Sequence, residues 1–296
     1  MDINYELYKV FYYVAISLSF SEASKKLYIS QSAVSQSIKV LEKKLNQPLF
    51  IRSTKKVQLT PEGETLLRHI EPAINLIKRG ENQIMEANSL GGGQLRIGAS
   101  DTICRYFLVP YLSRFHKEYP NIHIKVTNQT SIGCVDLLEN GSVDLIFTNY
   151  PNSRLGNGKQ VQHIKDFQDC FIASRKYYGE LEHQPLSFKE LLNYPILMLD
   201  RNSTTSEFLH ALFQQHQLDL VPEIELSSND LLLDLADIGL GIAFVPDFCL
   251  ARAGGDLFQI PLKATLPTRQ LALAYSDKMP ISNAAKQFIQ YFSQNS

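Results

Sequence analysis

Residues 20–42 read FSEASKKLYISQSAVSQSIKVLE, and the fold of the first sixty residues turns on this stretch. Ser19, just ahead of it, is placed to cap a new helix, with Glu22 three residues on positioned to reach back and close a capping box. That helix is short, Phe20 to about Leu27, because Tyr28-Ile29-Ser30 interrupts the apolar rhythm. Ser30 caps a second helix, Gln31 to about Leu45, whose inner face is Ala33, Val34, Ile38, Leu41 and Leu45. Two helices about three residues apart, the second with a small polar outer face, describe a helix-turn-helix. Gln31, Ser32, Ser35, Gln36 and Lys39 lie opposite the core positions, and Ser21 stands in the first turn of the preceding helix. Short hydroxyls and amides there can approach base edges and phosphates, and glutamine can pair bidentately with adenine. Double-stranded DNA is the partner this pattern points to.

Outward from that pair, Leu7, Val10, Phe11, Val14 and Ala15 give Tyr5–Ile16 the spacing of an amphipathic helix. Downstream, Asn46-Gln47-Pro48 breaks the second helix. Leu49–Arg52 and Lys55–Leu59 then read as two short strands turned at Ser53-Thr54. Such a wing carries Arg52, Lys55 and Lys56 to phosphates, where they position the protein without reading sequence. A small helical cap with a solvated basic hairpin is the plainer alternative.

The run Phe20–Glu42 closely resembles the DNA-binding domain of LysR-type transcriptional regulators. The resemblance continues, in order and spacing, through Leu49-Phe50-Ile51-Arg52 and Leu59-Thr60-Pro61-Glu62-Gly63. It departs at Ser24, Ser32 and Asn46, where the family usually has Ala, often Pro, and usually Gly. The resemblance implies a winged helix-turn-helix, a dimerising linker helix and a body that binds a small-molecule effector.

The linker is legible in the residues as well. Thr60 is a good N-cap, Pro61 suits the first helical position, and Glu62 sits where the helix dipole favours an acid. Leu66, Ile70, Ala73, Ile77, Ile84 and Ala87 alternate by four and three, a heptad seam with Gly80 in the missing step. A helix packed on its own chain is the alternative to a dimer seam. Gly91-Gly92-Gly93 ends the helix as a hinge.

From residue 94, strands and helices alternate, which predicts an α/β body with mostly parallel sheets and ligands at the carboxyl ends of strands. Gly141-Ser142-Val143-Asp144-Leu145 and Gly239–Pro246 resemble recurring segments of the same family's body. That resemblance implies two subdomains, like periplasmic substrate-binding proteins, with a cleft between them. The expected division is 1–60 for the DNA-binding domain and 61–90 for the linker. Residues 91–163 with 268–296 form the first effector subdomain, and 164–267 the second.

Candidate effector contacts are Ser100 and Thr102, where the first strand feeds a helix, and Thr130 and Ser131 at the next helix start. Thr148 and Asn149 end the third strand, and Asn202, Ser203 and Thr204 (with Thr205 beside them) cap a helix of the second subdomain. Their convergence suggests an anionic metabolite, with Arg105 or Arg201 as its basic partner. Each hydroxyl is also an ordinary helix cap.

Composition sorts the function classes. The chain of 296 residues has a formal charge of −1, which taken whole speaks against nucleic acid. Residues 1–60 nonetheless carry nine Lys/Arg against four acids, and residues 91–296 carry seventeen against twenty-one. A basic head on an acidic body suits an anionic partner at one end. Four scattered cysteines without CxxC read as reduced buried thiols of a cytoplasmic protein. Neither a signal peptide nor a span of about twenty apolar residues is present, so no membrane association is expected. No GxSxG, HExxH or Walker motif supports an enzyme, and no catalytic residue, metal or cofactor is expected. An enzyme and a solute-binding protein remain the rival classes. A homodimer or homotetramer is expected, with RNA polymerase a further candidate partner.

Overall fold

α1 (Tyr5–Ser17) forms because its apolar residues recur on one face, and Asn4 caps it by accepting the Glu6 N–H. The computed structural model describes residues 3–52, 56–88, 92–252 and 255–293. α2 (Phe20–Leu27) and α3 (Gln31–Leu45) follow, and Ser19 and Ser30 accept the N–H groups of Glu22 and Ala33 at 3.2 Å. The expected capping box does not close. The Glu22 carboxylate takes Lys25 Nζ at 2.8 Å, a partner one turn ahead that leaves it facing away from the cap. Asn46 ends α3 at φ +53°, a left-handed conformation that asparagine adopts more readily than most residues, so the glycine usual here is dispensable.

Val34, Ile38 and Leu41 of α3 are fully buried against Phe11, Val14, Leu49 and Phe50. Ala33, expected inside, is exposed: the seam runs 34, 38, 41, 45, and residue 33 lies one step off it. β1 (Phe50–Arg52) and β2 (Val57–Leu59) pair antiparallel, with Phe50 opposite Leu59. Glu42 Oε1 accepts the N–H groups of Leu49 and Phe50 at 2.8 and 3.3 Å and so ties the wing to α3.

α4 (Pro61–Asn88) starts at Thr60, whose hydroxyl donates to Pro48 O and accepts the Gly63 N–H. A Cβ at Gly63 would stand 2.2 Å from Leu49 O, so this first turn requires glycine. Pro72 removes one N–H from the helix interior, and the helix continues past it. The seam divides in two. Leu66 and Ile70 pack on the head's own core, while Leu76, Ile77, Ile84 and Met85 are exposed. Lys78 Nζ lies 5.1 and 5.3 Å from the rings of Tyr12 and Tyr13 and fixes α4 to α1.

Packing divides the chain into two units, Met1–Met85 with Asn140–Ser142, and Glu86–Glu139 with Val143–Ser296. In the second, the chain runs β3 (Gly93–Ala99), α5 (Asp101–Ile103), a π-helical turn Cys104–Leu108, and α6 (Val109–Glu118). Next are β4 (Ile122–Asn128), α7 (Ser131–Glu139), β5 (Leu145–Tyr150) and β6 (Lys159–Phe167). It crosses into β7 (Asp169–Ser174), α8 (Arg175–Tyr178), α9 (Phe188–Leu191), β8 (Ile196–Leu199) and α10 (Thr204–Gln215). There follow β9 (Ile224–Leu226), α11 (Asn229–Asp237), β10 (Ile242–Pro246) and β11 (Leu257–Gln259). The chain returns through β12 (Arg269–Ser276) to α12 (Asn283–Ser293).

Two five-stranded sheets result, ordered β4-β3-β5-β12-β6 and β11-β7-β10-β8-β9. Both are mixed, not mostly parallel as the strand–helix alternation suggests. β3 is parallel to β4 and β5, but the returning β12 runs against β5 and β6. In the second sheet β8 is parallel to β9 and β10, while β7 enters antiparallel to β10 and β11. The strands that carry the chain between sheets are the ones that break the parallel order. β5, β7 and β10 are buried on both faces, which is why Leu145–Phe147, Cys170–Ala173 and Ile242–Val245 are apolar without alternation.

Candidate DNA interface and ligand cleft

On the head, Gln31, Ser32, Gln36 and Lys39 are exposed along one side of α3, and Ser35 is half-buried on the same helix. Ser32 Oγ meets Ser30 Oγ at 2.9 Å, so the cap and the first turn form one hydroxyl pair. Ser21 is exposed at the start of α2. Lys56 is exposed ahead of β2 and Arg52 ends β1. Lys55 and the Arg52 side chain lie outside the described residues. The buried core beneath α3 gives its polar side a fixed base.

In the body, the carboxyl ends of strands from both sheets face a cavity of about 390 Å³. From the first sheet come Ser100, Thr102, Gln129, Thr130, Ser131 and Asn149; from the second come Asp200, Ser203, Thr204, Thr205, Ser228 and Asn229. The local reason is capping. Ser100 accepts the Ile103 N–H, Thr130 the Gly133 N–H, Ser203 the Ser206 N–H, and Ser228 the Leu231 N–H. The first turns of α7, α10 and α11 therefore open on one space, with their N–H groups and positive dipole ends. Ser131 Oγ also accepts the Asn149 N–H at 3.1 Å, locking α7 to β5.

Behind α10 lies a buried charge. Arg269 on β12 donates to Asp169 Oδ2 at 2.7 Å and to the hydroxyls of Thr205 and Thr204 at 3.1 and 3.2 Å. Its guanidinium stands between the rings of Phe167 and Phe208, 5.3 and 5.0 Å from their centres. Burial pushes the Asp169 carboxyl up, against the opposing pull of Arg269. This group joins the two sheets and holds the hydroxyls of the α10 first turn from the far side.

The cleft is also spanned directly. Asn229 Nδ2 donates to Thr102 Oγ1 at 2.9 Å, and Asp230 accepts from Tyr106 OH at 2.6 Å and Arg105 at 3.2 Å. Burial and the Asp230 carboxylate push the Tyr106 phenol up, so it serves as a donor at neutral pH. Among the described residues, no cluster of three or more His, Cys, Asp or Glu could hold a metal ion. None of the described helices is long and apolar enough to cross a membrane.

Residues 5–64 match the family model described as bacterial regulatory helix-turn-helix protein, lysR family, and residues 88–296 match that of the LysR substrate binding domain. The chain belongs to the LysR family. The HTH-type transcriptional activator CmpR of Synechocystis is 27% identical over 286 residues, covering 96% of this chain and 93% of its own. The structure of full-length CbnR complexed with its target DNA is similar with a TM-score of 0.70 at 18% identity, over 99% of this chain and 100% of that one. The regulatory domain of Synechocystis CcmR, in complex with 2-PG, is similar over 68% of this chain and 96% of that one, with a TM-score of 0.62 at 21% identity. This LysR-family chain is a transcriptional regulator with a DNA-binding helix-turn-helix head and a LysR substrate binding domain as its body.

The LysR-family cleft brings together Ser100, Thr102, Thr130, Ser131, Asn149, Ser203 and Thr204. Two expected residues fall outside its lining. Thr148 is fully buried beneath it, where its hydroxyl meets Ser131 O and the Asn152 amide, because alternation along β5 turns it to the other face from Asn149. Asn202 is exposed on the loop, since its backbone closes an Asx turn on Asp200 Oδ1. Neither expected cation lines the cavity: Arg105 pairs with Asp230, and Arg201 is exposed. The buried cation is Arg269, whose only sequence signal was a basic residue opening an apolar strand. Asp101, Ile103, Leu199 and Asp200 also line the cavity, as do Asn128, Gln129, Ser227, Ser228, Asn229 and Phe248, and none of these is among the expected contacts. Ser228 and Asn229 could have been found by the same capping argument that found Ser203.

Proposed function

We propose that α3 enters the major groove of duplex DNA, with Gln31, Ser32, Ser35 and Gln36 toward base edges and Ser21, Lys39, Arg52, Lys55 and Lys56 toward phosphates. In this reading residues 1–60 are the DNA-binding domain and 61–90 the dimerising linker; 91–163 with 268–296 form the first effector subdomain and 164–267 the second, save that the end of β6 as far as Phe167 pairs with β12 in the first sheet. A small molecule with an anionic end occupies the cleft and shifts the balance between subdomain arrangements, which requires unequal affinity for them. One observation carries the reading: three helix first turns and a ring of hydroxyls converge on one cavity in a chain that also bears a helix-turn-helix head.

The uncovered Leu76, Ile77, Ile84 and Met85 on α4 support pairing of two copies, as a dimer or within a tetramer. Two joined heads gain effective concentration on two half-sites. A regulator of this kind, not an enzyme, works in the cytoplasm without a cofactor, with RNA polymerase as its contact on DNA. The test is thermal denaturation of the full chain against carboxylates, amino acids and inorganic anions. A ligand at a hundred times its Kd adds about 2.7 kcal/mol of stability. A stabilising ligand whose effect is abolished by Asn229→Ala supports the cleft; stabilisation indifferent to that substitution argues against it.

A further inference from the structure

We propose that the cleft takes a small zwitterion, an α-amino acid or close analogue with an apolar side chain, and not a dianion. The proposal rests on the reading of the cleft as the effector site. Its first element is the anion end. α7, α10 and α11, of nine, twelve and nine residues, open their first turns on the cavity, and each such terminus is worth about half a positive charge.

The second element is the charge of the walls. Among the described lining residues none is Lys, Arg or His, and two are carboxylates, Asp101 and Asp200. Three helix termini thus offer about 1.5 positive charges against two negative ones. A dianion meets surroundings that do not neutralise it. Arg269, the buried cation nearby, is already matched by Asp169 and directs its N–H groups at Thr204 and Thr205 from behind.

The third element is the acceptors of the wall. The carboxylates of Asp101 and Asp200 line the cavity beside the hydroxyls of Ser100, Thr130, Ser203 and Ser228, so acceptors outnumber charged donors around it. An ammonium brings three donors to a wall rich in acceptors, whereas a dianion brings none. The apolar remainder of the lining, Ile103, Leu199 and Phe248, suits an aliphatic or aromatic side chain.

The experiment is isothermal titration of the full chain with L-alanine, L-leucine and L-phenylalanine, their 2-hydroxy acid counterparts, succinate and inorganic phosphate. At least one amino acid is expected to bind, with its hydroxy acid about tenfold weaker for want of charge-assisted bonds. Asp200→Asn, which keeps the acceptor for the Asn202 N–H, is expected to cost the amino acid about tenfold while relieving repulsion of dianions. Tighter binding by a hydroxy acid or a dianion, or no binding by any amino acid, overturns the proposal. The Asn229→Ala variant separates that outcome from failure of the cleft itself. A dianion whose binding it abolishes removes the zwitterion and leaves the effector site standing. A ligand indifferent to it removes the cleft reading as well.

Discussion

Replacing Arg269 by methionine removes a guanidinium that is 1% exposed and strands Asp169, also 1% exposed, without its 2.7 Å partner. Thr204 and Thr205 lose donors at the same time. Methionine retains much of the stem that packs between Phe167 and Phe208, so the loss is mainly electrostatic. Breaking a buried pair from one side costs about 3–5 kcal/mol. For a unit of about two hundred residues that lowers Tm by roughly 6–20 °C.

The loss depends on pH. Burial already raises the Asp169 carboxyl, and removing Arg269 removes the pull that opposes it, so the folded pKa of the variant rises further above the unfolded value. A carboxyl raised in the folded state favours folding only while protonated. The deficit against the parent protein is therefore greatest above neutrality and narrows as pH falls toward the ordinary aspartate range near about 4. Calorimetric melts of the full chain across that range measure it. The double variant Asp169→Leu with Arg269→Met strands no charge and is expected to recover most of the loss. A single-variant cost below about 1 kcal/mol, in the range of a surface pair, would mean that the buried pair is not a structural anchor. A double variant no better than the single would mean the same.

Further outcomes follow from other parts of the chain. Lys39→Ala is expected to weaken binding to all duplexes alike and to reduce the log–log salt slope by about one, read by anisotropy titrations at several salt concentrations. Gly63→Ala places a Cβ 2.2 Å from a backbone carbonyl, and chemical denaturation should register a loss of about 1–3 kcal/mol in the head. Ile77→Glu with Ile84→Glu puts charge on the uncovered half of α4 and is expected to lower the oligomeric state in sedimentation, with the melting of the body unchanged. Burial pushes the Cys104 and Cys134 thiols up to about 11 and about 12, and Cys170 and Cys249 higher still. Thiol titration of the native protein at neutral pH is thus expected to be slow and to complete only on unfolding.

The head was legible because its signals are local. Ser19 and Ser30 start helices, Asn46 stops one, and the seam 34-38-41 is a plain helical period. The body was legible as strands and helices but not as sheets. β6 carries no strand signal in its sequence, because a bulge, where the register shifts between Leu271 and Ala272 of β12, falls at Ile164 and breaks its alternation. The sense of β7 and β12 depends on which sheet they join, a long-range fact with no signature in either strand. At the cleft, capping hydroxyls announced themselves at Ser100, Thr130 and Ser203. Thr148 and Asn202 failed because a strand's alternation and an Asx turn, not residue type, decide which way a side chain faces. Arg269 offers in the sequence only a basic residue opening an apolar strand, since its partner Asp169 is one hundred residues away.

In the proposed mechanism, sequence-specific DNA binding by α3 is coupled to a ligand in the cleft. The most direct test of that coupling is to enrich duplexes from a random library with the full chain, then titrate the enriched duplex with and without a ligand bound in the cleft. Preferential binding is expected, relaxed by Gln31→Ala or Gln36→Ala, with an affinity or bend shifted by the ligand in the parent protein but not in Asn229→Ala. No enrichment over the random library, or identical DNA binding with the cleft filled and empty, would contradict it.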